Sequence, residues 1–187
     1  MFKTALIIID LQNDYFQGGK CGLVGTEAAA NKAAILLKSF RAKGLPVVHV
    51  RHEFPTTTAP FFQPDSDGAK IHASVRNLEN EPVVVKHQIN SFRDTNLRKI
   101  LEDLNVNSVL ICGAMSHMCI DAVTRAAYDF GYKCAIAHDA CATLDLEFKG
   151  VVVPAIHVHA AFMSALGFAY AKVASTDELL TEIQLGT

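Results

Sequence analysis

The sequence lacks a hydrophobic run long enough to cross a bilayer, and it has no large excess of charge of one sign. Lysine and arginine number 17 against 19 aspartates and glutamates, and both signs are mixed along the chain. These absences argue against a transmembrane helix, a nucleic-acid-binding surface and a polybasic membrane-binding segment. Tryptophan is also absent, which carries no information about function. We therefore expect no nucleic-acid partner and no membrane partner.

Cysteine is present, but not in the pattern of a disulfide-stabilised protein. The five cysteines are an odd number and have no tight framework spacing, which favours a reducing compartment. The opening FKTALIIID has a weakly charged start, and its apolar run soon meets a carboxylate, unlike a secretory signal. We expect a cytoplasmic protein.

The sequence does contain a regular alternation of short apolar runs and amphipathic segments. Strands are predicted at Ala5–Ile9, Val47–Val50, Pro82–Val85, Val109–Ile111, Cys134–Ala137 and Val173–Ala174. Helices are predicted from Thr26 (as N-cap) to Lys43, from Asp94 or Thr95 to about Leu104, from Met118 to about Phe130, from Pro154 to about Ala171, and from Ser175. This alternation predicts an α/β protein with a parallel sheet and right-handed crossovers, in a single domain over residues 1–187.

The segment from Phe54 to Asn80 shows no clean periodicity and contains three prolines and the pair Phe61 and Phe62. A loop of this length in a compact domain is usually functional or disordered. Because an exposed aromatic pair is unfavourable, we predict that residues 54–80 form a lid or a subunit-contact loop.

The stretch from Ser108 to Gly131 predicts a buried strand, a tight turn at Gly113 and a helix that ends before Gly131. Cys119 lies at the start of that helix, where free N–H groups and the helix dipole favour a thiolate and lower the pKa of a thiol. Cys119 is therefore a candidate nucleophile. The alternative is that it is a small buried hydrophobic residue, as most cysteines are.

Asp10 and Lys86 share the position of Cys119 in the predicted sheet, because each lies at or just after the carboxyl end of a strand. In a parallel sheet these ends meet at one edge, where ligands bind. A carboxylate, an amine and a thiol at one place suffice for covalent acyl transfer. Structural alternatives are a cap for Asp10 and a solvent-directed surface lysine for Lys86.

Three motifs carry a family resemblance: IIIDLQNDY with Asp10, VVVKHQINSF with Lys86, and GAMSHMCIDAVTRAAYDFGYKCAIAHDAC with Cys119. In this order and spacing the chain resembles the isochorismatase-like cysteine hydrolases, the superfamily of nicotinamidase, N-carbamoylsarcosine amidohydrolase and isochorismatase. The resemblance implies a three-layer α/β/α Rossmann-like fold with about six parallel strands, and an Asp10–Lys86–Cys119 catalytic triad. It further implies a cis peptide between Ala114 and Met115, an oxyanion hole of the Met115 and Cys119 N–H groups, and a homo-oligomer.

Departures from the family patterns narrow the expected reaction. True isochorismatases do not keep the nucleophilic cysteine. The nicotinamidase Asp-x-His metal motif after the second strand is replaced here by Arg51, His52 and Glu53. We therefore expect no metal and no cofactor, and a hydrolase that cleaves a C–N bond of a small amide or carbamoyl substrate through a thioester. Alternatives are a non-catalytic binding module on the same fold, and a vinyl-ether hydrolase that does not use the cysteine.

Other polar and aromatic residues receive weaker interpretations. Possible pocket walls are Phe16, Gln88, Phe92, His117 and Tyr128. His52 and His72 are left without an assigned role. Core positions are expected for Cys112 and Cys134, loop positions for Cys21 and Cys141, and a capping role for Asp139.

Overall fold

The computed structural model describes residues 3–185, so both ends of the expected 1–187 domain lie outside it. A six-stranded parallel sheet forms its centre, with the strand order β3-β2-β1-β4-β5-β8. Its strands are β1 (Thr4–Ile9), β2 (Val47–His52), β3 (Val83–Lys86), β4 (Ser108–Ala114), β5 (Lys133–Ala142) and β8 (Lys172–Ala174). The predicted α/β fold is confirmed.

Helices cover both faces of this sheet. They are α1 (Thr26–Ala42), α2 (Leu97–Asp103), α3 (Asp121–Asp129), α4 (Ala155–Ala169) and α5 (Thr176–Leu185). Leu6 and Ile8 of β1 belong to the core layer shared with α1 and α5, whereas Ile7 belongs to the layer shared with α2, α3 and α4. This alternation explains why β1 is apolar on both faces. In the part of the chain described, no helix has the length and apolarity to cross a bilayer.

The order of the strands creates a switch point beside β1. The chain moves from β1 outward through β2 to β3, and then returns to place β4 on the other side of β1. At such a reversal the connections leave in opposite directions, which opens a crevice at the carboxyl ends of the two central strands. Asp10 directly follows β1, and Cys119 follows β4 by one turn.

Gly113 permits the close approach of β4 to β1 at this end of the sheet. It has φ +124°, and a Cβ atom there would lie 1.9 Å from the carbonyl oxygen of Ile9. The pairing of β4 with β5 also shifts register between Ile111 and Gly113. Only glycine fits this geometry, which brings the turn after β4 next to Asp10.

Several predicted boundaries need correction. Thr26 is the first residue of α1 and not its N-cap, since Gly25 at φ +74° takes that place and the Thr26 hydroxyl donates to the carbonyls of Tyr15 and Leu23. Strand β5 runs five residues beyond Ala137, so Cys141 lies in a strand and not in a loop. β2 likewise continues through Arg51 and His52.

A short antiparallel hairpin between β5 and α4 was not predicted. It pairs β6 (Leu146–Phe148) with β7 (Val151–Val153) through the turn at Lys149 and Gly150. Each strand has only three residues, too few for a clear period-2 pattern in the sequence.

Candidate active site

The three residues predicted to act together meet at the carboxyl edge of the sheet. The Lys86 Nζ atom lies 2.8 Å from Asp10 Oδ2 and donates to Cys119 Sγ at 3.2 Å. The cluster is buried, with Asp10 and Lys86 fully inaccessible and Cys119 3% exposed. A carboxylate, an ammonium and a thiol are thus in mutual reach in a site that excludes bulk water.

Each residue of the cluster is positioned by the end of its strand. Asp10 follows β1 with φ +51°, a left-handed conformation that aspartate tolerates better than most residues, and its N–H donates to the Val50 carbonyl of β2 at 2.9 Å. Lys86 is the last residue of β3, and its buried side chain contacts His52 at the end of β2 and Asp10 after β1.

Cys119 lies in a wide helical turn between β4 and α3. Residues Ser116–Ile120 form one turn of π-helix before the α-helix begins at Asp121. The peptide bond between Ala114 and Met115 is cis. The N–H groups of Met118 and Ile120 both donate to the Met115 carbonyl, which fixes the turn that carries the thiol.

The electrostatics of Cys119 differ from the expectation. Burial, reinforced by the negative charge of Asp10, raises the pKa of Cys119 to about 12, and the nearby Lys86 ammonium only partly opposes this. The predicted lowering of the pKa was therefore wrong for the resting site. The resting sulfur is a thiol within hydrogen-bonding range of Asp10, so its activation requires a base.

Lys86 remains a cation despite its burial. Burial lowers its pKa, but the charges of Asp10 and Cys119 and the hydrogen bonds to them together outweigh this, so the net pKa of Lys86 is raised. Its ammonium also contacts His52 Nδ1 at 3.1 Å and the Gln88 carbonyl at 3.2 Å. The ion pair with Asp10 keeps the buried charges of the cluster balanced.

Gln12 connects three segments around the cluster, a role that the sequence did not indicate. Its Nε2 donates to the carbonyls of His52 and Ala69, each at 2.8 Å, and its Oε1 accepts from the His52 N–H at 2.7 Å. Because Gln12 is fully buried, these bonds are shielded from water and link the ends of β1 and β2 to the long loop.

The loop at residues 54–80 is packed into the domain through Asp14. The Asp14 carboxylate accepts from the Phe62 N–H at 2.7 Å, and a Cβ at Gly68 would lie 2.3 Å from its oxygens. Phe62 is fully buried, and its ring lies 4.6 Å from that of Tyr15. Phe62 of the loop and Tyr15 therefore form an aromatic wall on the β1–β2 side of the site. Whether it also acts as a lid or a subunit contact stays a prediction.

Three of the five predicted pocket residues lie near the cluster or the segments around it. The Gln88 carbonyl contacts Lys86, and His117 precedes Cys119 by two residues with its Nδ1 2.6 Å from Thr143 Oγ1. Phe16 stacks on His72 of the loop, with ring centroids 3.6 Å apart. Their function as pocket walls stays a prediction.

The other two predicted pocket residues, Tyr128 and Phe92, contact aromatic side chains near the end of α3. Tyr128 follows Cys119 by about 13 Å of helix, is 48% exposed and contacts the Tyr170 ring. Phe92 packs against Phe130 and Tyr132, at the same distant end of α3. The length of α3 separates Tyr128 from the thiol, and the role of both residues as pocket walls stays a prediction.

Among residues 3–185, no group of three or more histidine, cysteine, aspartate or glutamate side chains is arranged to hold a metal ion. His49 instead contacts Glu81 at 2.9 Å, and Glu81 also binds Arg41.

The expected capping role of Asp139 is met by its Oδ1, which accepts from the N–H and hydroxyl of Thr176 at the start of α5.

Comparison with known proteins agrees with this architecture. The isochorismatase domain profile matches residues 4–163. The uncharacterised isochorismatase family protein YddQ of Bacillus subtilis is 50% identical over 177 residues, covering 95% of this chain and 98% of YddQ. Streptothricin hydrolase of Streptomyces noursei is 30% identical over 142 residues, covering 76% of this chain and 55% of that enzyme. The crystal structure of an isochorismatase hydrolase candidate from Oleispira antarctica has 68% identity, covers 96% of each chain and superposes with a TM-score of 0.93.

Fold and similarities together define a hydrolase built on a parallel α/β sheet. More narrowly, the chain belongs to the isochorismatase-domain family, and the resemblance inferred from its three motifs is confirmed.

Proposed function

We propose that this protein is a cysteine-dependent hydrolase that cleaves a C–N bond of a small amide or carbamoyl substrate through a thioester. The observation that carries the proposal is the buried contact of Lys86 with both Asp10 and Cys119, at 2.8 and 3.2 Å. Streptothricin hydrolase, a relative of this chain, is by its name a hydrolase.

The chemistry follows from the resting state of the thiol. Asp10 takes the Cys119 proton as the sulfur attacks the substrate carbonyl, and the Lys86 ammonium stabilises the developing negative charge on sulfur. The oxyanion of the tetrahedral intermediate accepts hydrogen bonds from the Met115 and Cys119 N–H groups. Protonated Asp10 then gives its proton to the leaving nitrogen, so ammonia or an amine departs and a thioester remains.

Water completes the cycle. Asp10, again a carboxylate, takes a proton from the water that attacks the thioester carbonyl. Collapse of the second intermediate breaks the C–S bond, releases the carboxylic or carbamic acid, and returns the proton to sulfur. Each half-reaction uses the same carboxylate alternately as base and acid, so no metal ion is required.

The decisive experiment measures ammonia release from nicotinamide, small aliphatic amides and N-carbamoyl amino acids by the wild type and by Cys119→Ala. We expect Cys119→Ala to lose activity at least about a thousandfold, as removal of a nucleophile does in other covalent hydrolases. Cys134→Ala is the matched control, because Cys134 is also a buried cysteine but lies in β5, outside the cluster.

Intact mass spectrometry during turnover separates the rival functions. The proposal requires an acyl adduct on Cys119 that disappears as substrate is consumed. Hydrolysis that survives in Cys119→Ala contradicts the covalent mechanism and favours a reaction that uses Asp10 and Lys86 alone. Binding of an amide without adduct or product favours the non-catalytic binding module.

A further inference from the structure

His52 is a buried residue in contact with the cluster, to which the mechanism assigns no step. It is the last residue of β2 and is 4% exposed. Its backbone N–H and carbonyl are both bound by the Gln12 side chain. Its ring packs edge-on against Phe54, with ring centroids 4.5 Å apart, and the centroid of the Phe62 ring lies 6.2 Å away. The orientation of this imidazole is thus fixed from several sides.

The contact with Lys86 determines which ring nitrogen carries the proton. Lys86 Nζ lies 3.1 Å from His52 Nδ1, and an ammonium group can only donate. Nδ1 is therefore the acceptor and carries no proton. Burial, together with the charge of Lys86, lowers the pKa of His52 to about 4, so the ring is neutral and its single proton is on Nε2.

The Nε2 atom of His52 is buried, and among residues 3–185 no group meets it with hydrogen-bond geometry. Buried donors are nearly always paired, and an unpaired one is unfavourable. The ring is held in this orientation by the Lys86 contact at Nδ1 and by packing against Phe54, while Gln12 fixes its backbone. A group supplied from outside the chain is the natural partner for this donor.

The geometry points to His52 Nε2–H as a donor that binds the neutral oxygen of an amide or carbamoyl substrate, in addition to the N–H groups of Met115 and Cys119. The charges nearby favour an uncharged group, since Asp10 and Lys86 already neutralise each other at 2.8 Å. This assignment rests on the proposed function only in taking the cluster as the site where substrate binds.

Two substitutions separate the donor at Nε2 from the contact with Lys86. His52→Gln places an amide N–H near the position of Nε2 and so keeps a donor for the substrate. His52→Asn places an amide oxygen near the position of Nδ1. This oxygen can still accept a hydrogen bond from Lys86, but the variant has no donor for the substrate. The probes are iodoacetamide, a small neutral amide that alkylates thiols, and iodomethane, which alkylates thiols but has no acceptor oxygen.

The measured quantity is the ratio of the Cys119 alkylation rates with iodoacetamide and iodomethane, obtained from peptide masses. We expect His52→Gln to keep the wild-type ratio and His52→Asn to lower it by about threefold to tenfold, the usual effect of one hydrogen bond. A change in the reactivity of the thiol alone changes both alkylation rates by the same factor, so it leaves their ratio unchanged. Cys21, which is partly exposed and lies outside the cluster, gives the ratio for an unassisted thiol in the same sample.

Every other pattern overturns the assignment. If His52→Asn leaves the ratio of the two alkylation rates unchanged, Nε2–H does not bind the reagent's oxygen. If the ratio falls only in His52→Gln, His52 acts through its contact with Lys86. If it falls equally in both variants, the imidazole ring is needed for its shape and not for the Nε2 proton. The labelling needs no turnover, so a failure of amide hydrolysis and a failure of this assignment are separate results.

One measurement on the unsubstituted protein makes the test independent of how the variants fold. Long-range proton–nitrogen NMR of protein labelled with ¹⁵N-histidine reports the proton position on each ring. We expect His52 to be the neutral Nε2–H form at pH 7. A proton on Nδ1, or a doubly protonated ring, removes the basis of the assignment.

Discussion

At Cys119, three influences act on one proton. Burial and the Asp10 carboxylate both favour the thiol, while the Lys86 ammonium favours the thiolate. The position of Cys119 near the start of a helix suggested the opposite balance, because sequence reveals the turn but not the depth of burial or the distance to Asp10. Strand ends and the three family motifs together were enough to select residues 10, 86 and 119, whereas the sign of the pKa shift depends on three-dimensional contacts.

Replacement of Asp10 by asparagine should increase the reactivity of Cys119 while it abolishes turnover. Removal of the negative charge lowers the Cys119 pKa, so more thiolate exists at neutral pH, and a nearby charge typically shifts a pKa by about one unit or more. We expect alkylation of Cys119 by iodoacetamide at pH 7.5 to be at least about tenfold faster in Asp10→Asn. Asparagine also tolerates the left-handed backbone at this position.

The pH dependence of alkylation checks the same balance. In the wild type the rate should still rise above pH 9, because the folded pKa of Cys119 is about 12. In Asp10→Asn the rise should end at lower pH. Alkylation that levels off below pH 8 in the wild type would show that Lys86 outweighs Asp10, contrary to the balance described above.

At the scale of the elements, buried parallel strands were readily located because they are apolar on both faces, as β1 and β4 are. The extension of β5 through His138 and Asp139 was missed because polar residues interrupt its apolar run. The packing of the 54–80 loop was also beyond sequence reasoning, since it depends on the long-range contact between Asp14 and Phe62.

Substitution of Gly68 by alanine should loosen this loop. A Cβ atom there would lie 2.3 Å from the Asp14 carboxylate, so either the loop or Asp14 must move and the Asp14–Phe62 hydrogen bond weakens. We expect a loss of about 1–3 kcal/mol in the free energy of unfolding, typical of overpacking, measured by urea denaturation.

Gly22→Ala is the control for this substitution, because the added Cβ would meet only the Phe16 carbonyl, at 3.7 Å. Limited proteolysis should cut Gly68→Ala within residues 54–80 faster than it cuts either Gly22→Ala or the wild type. Equal stability and equal cleavage of all three proteins would mean that Asp14 does not anchor the loop.

At the scale of the whole molecule, the hairpin and the start of α4 expose a cluster of apolar side chains. These are Phe148 (72% exposed), Val151 (63%), Val152 (62%) and Ile156 (73%). A two-stranded hairpin is marginal in water by itself, and an apolar patch of this kind usually marks an association surface. We take a second copy of this chain as the partner, in keeping with the homo-oligomer that the resemblance implied.

We therefore expect the wild type to form oligomers and Val152→Lys to shift toward a monomer, because a buried lysine without a partner opposes association. Light scattering after size exclusion gives the mass in each case. Ile35→Lys is the control, since Ile35 is 47% exposed but lies on α1, which covers the opposite face of the sheet from α4. A wild type that elutes at the 20.3 kDa of one chain would contradict the prediction.

The central location of β1 has a consequence for assembly during synthesis. This strand leaves the ribosome before the other strands of the sheet, yet its neighbours β2 and β4 are separated from each other by more than fifty residues of chain. Once β2 and β3 have emerged, they can dock on one side of β1 and bring the acid and the amine together. The other side of β1 stays an open sheet edge until β4 has been synthesised. Cys119 therefore joins the site last, beside an ion pair between Asp10 and Lys86 that has already formed.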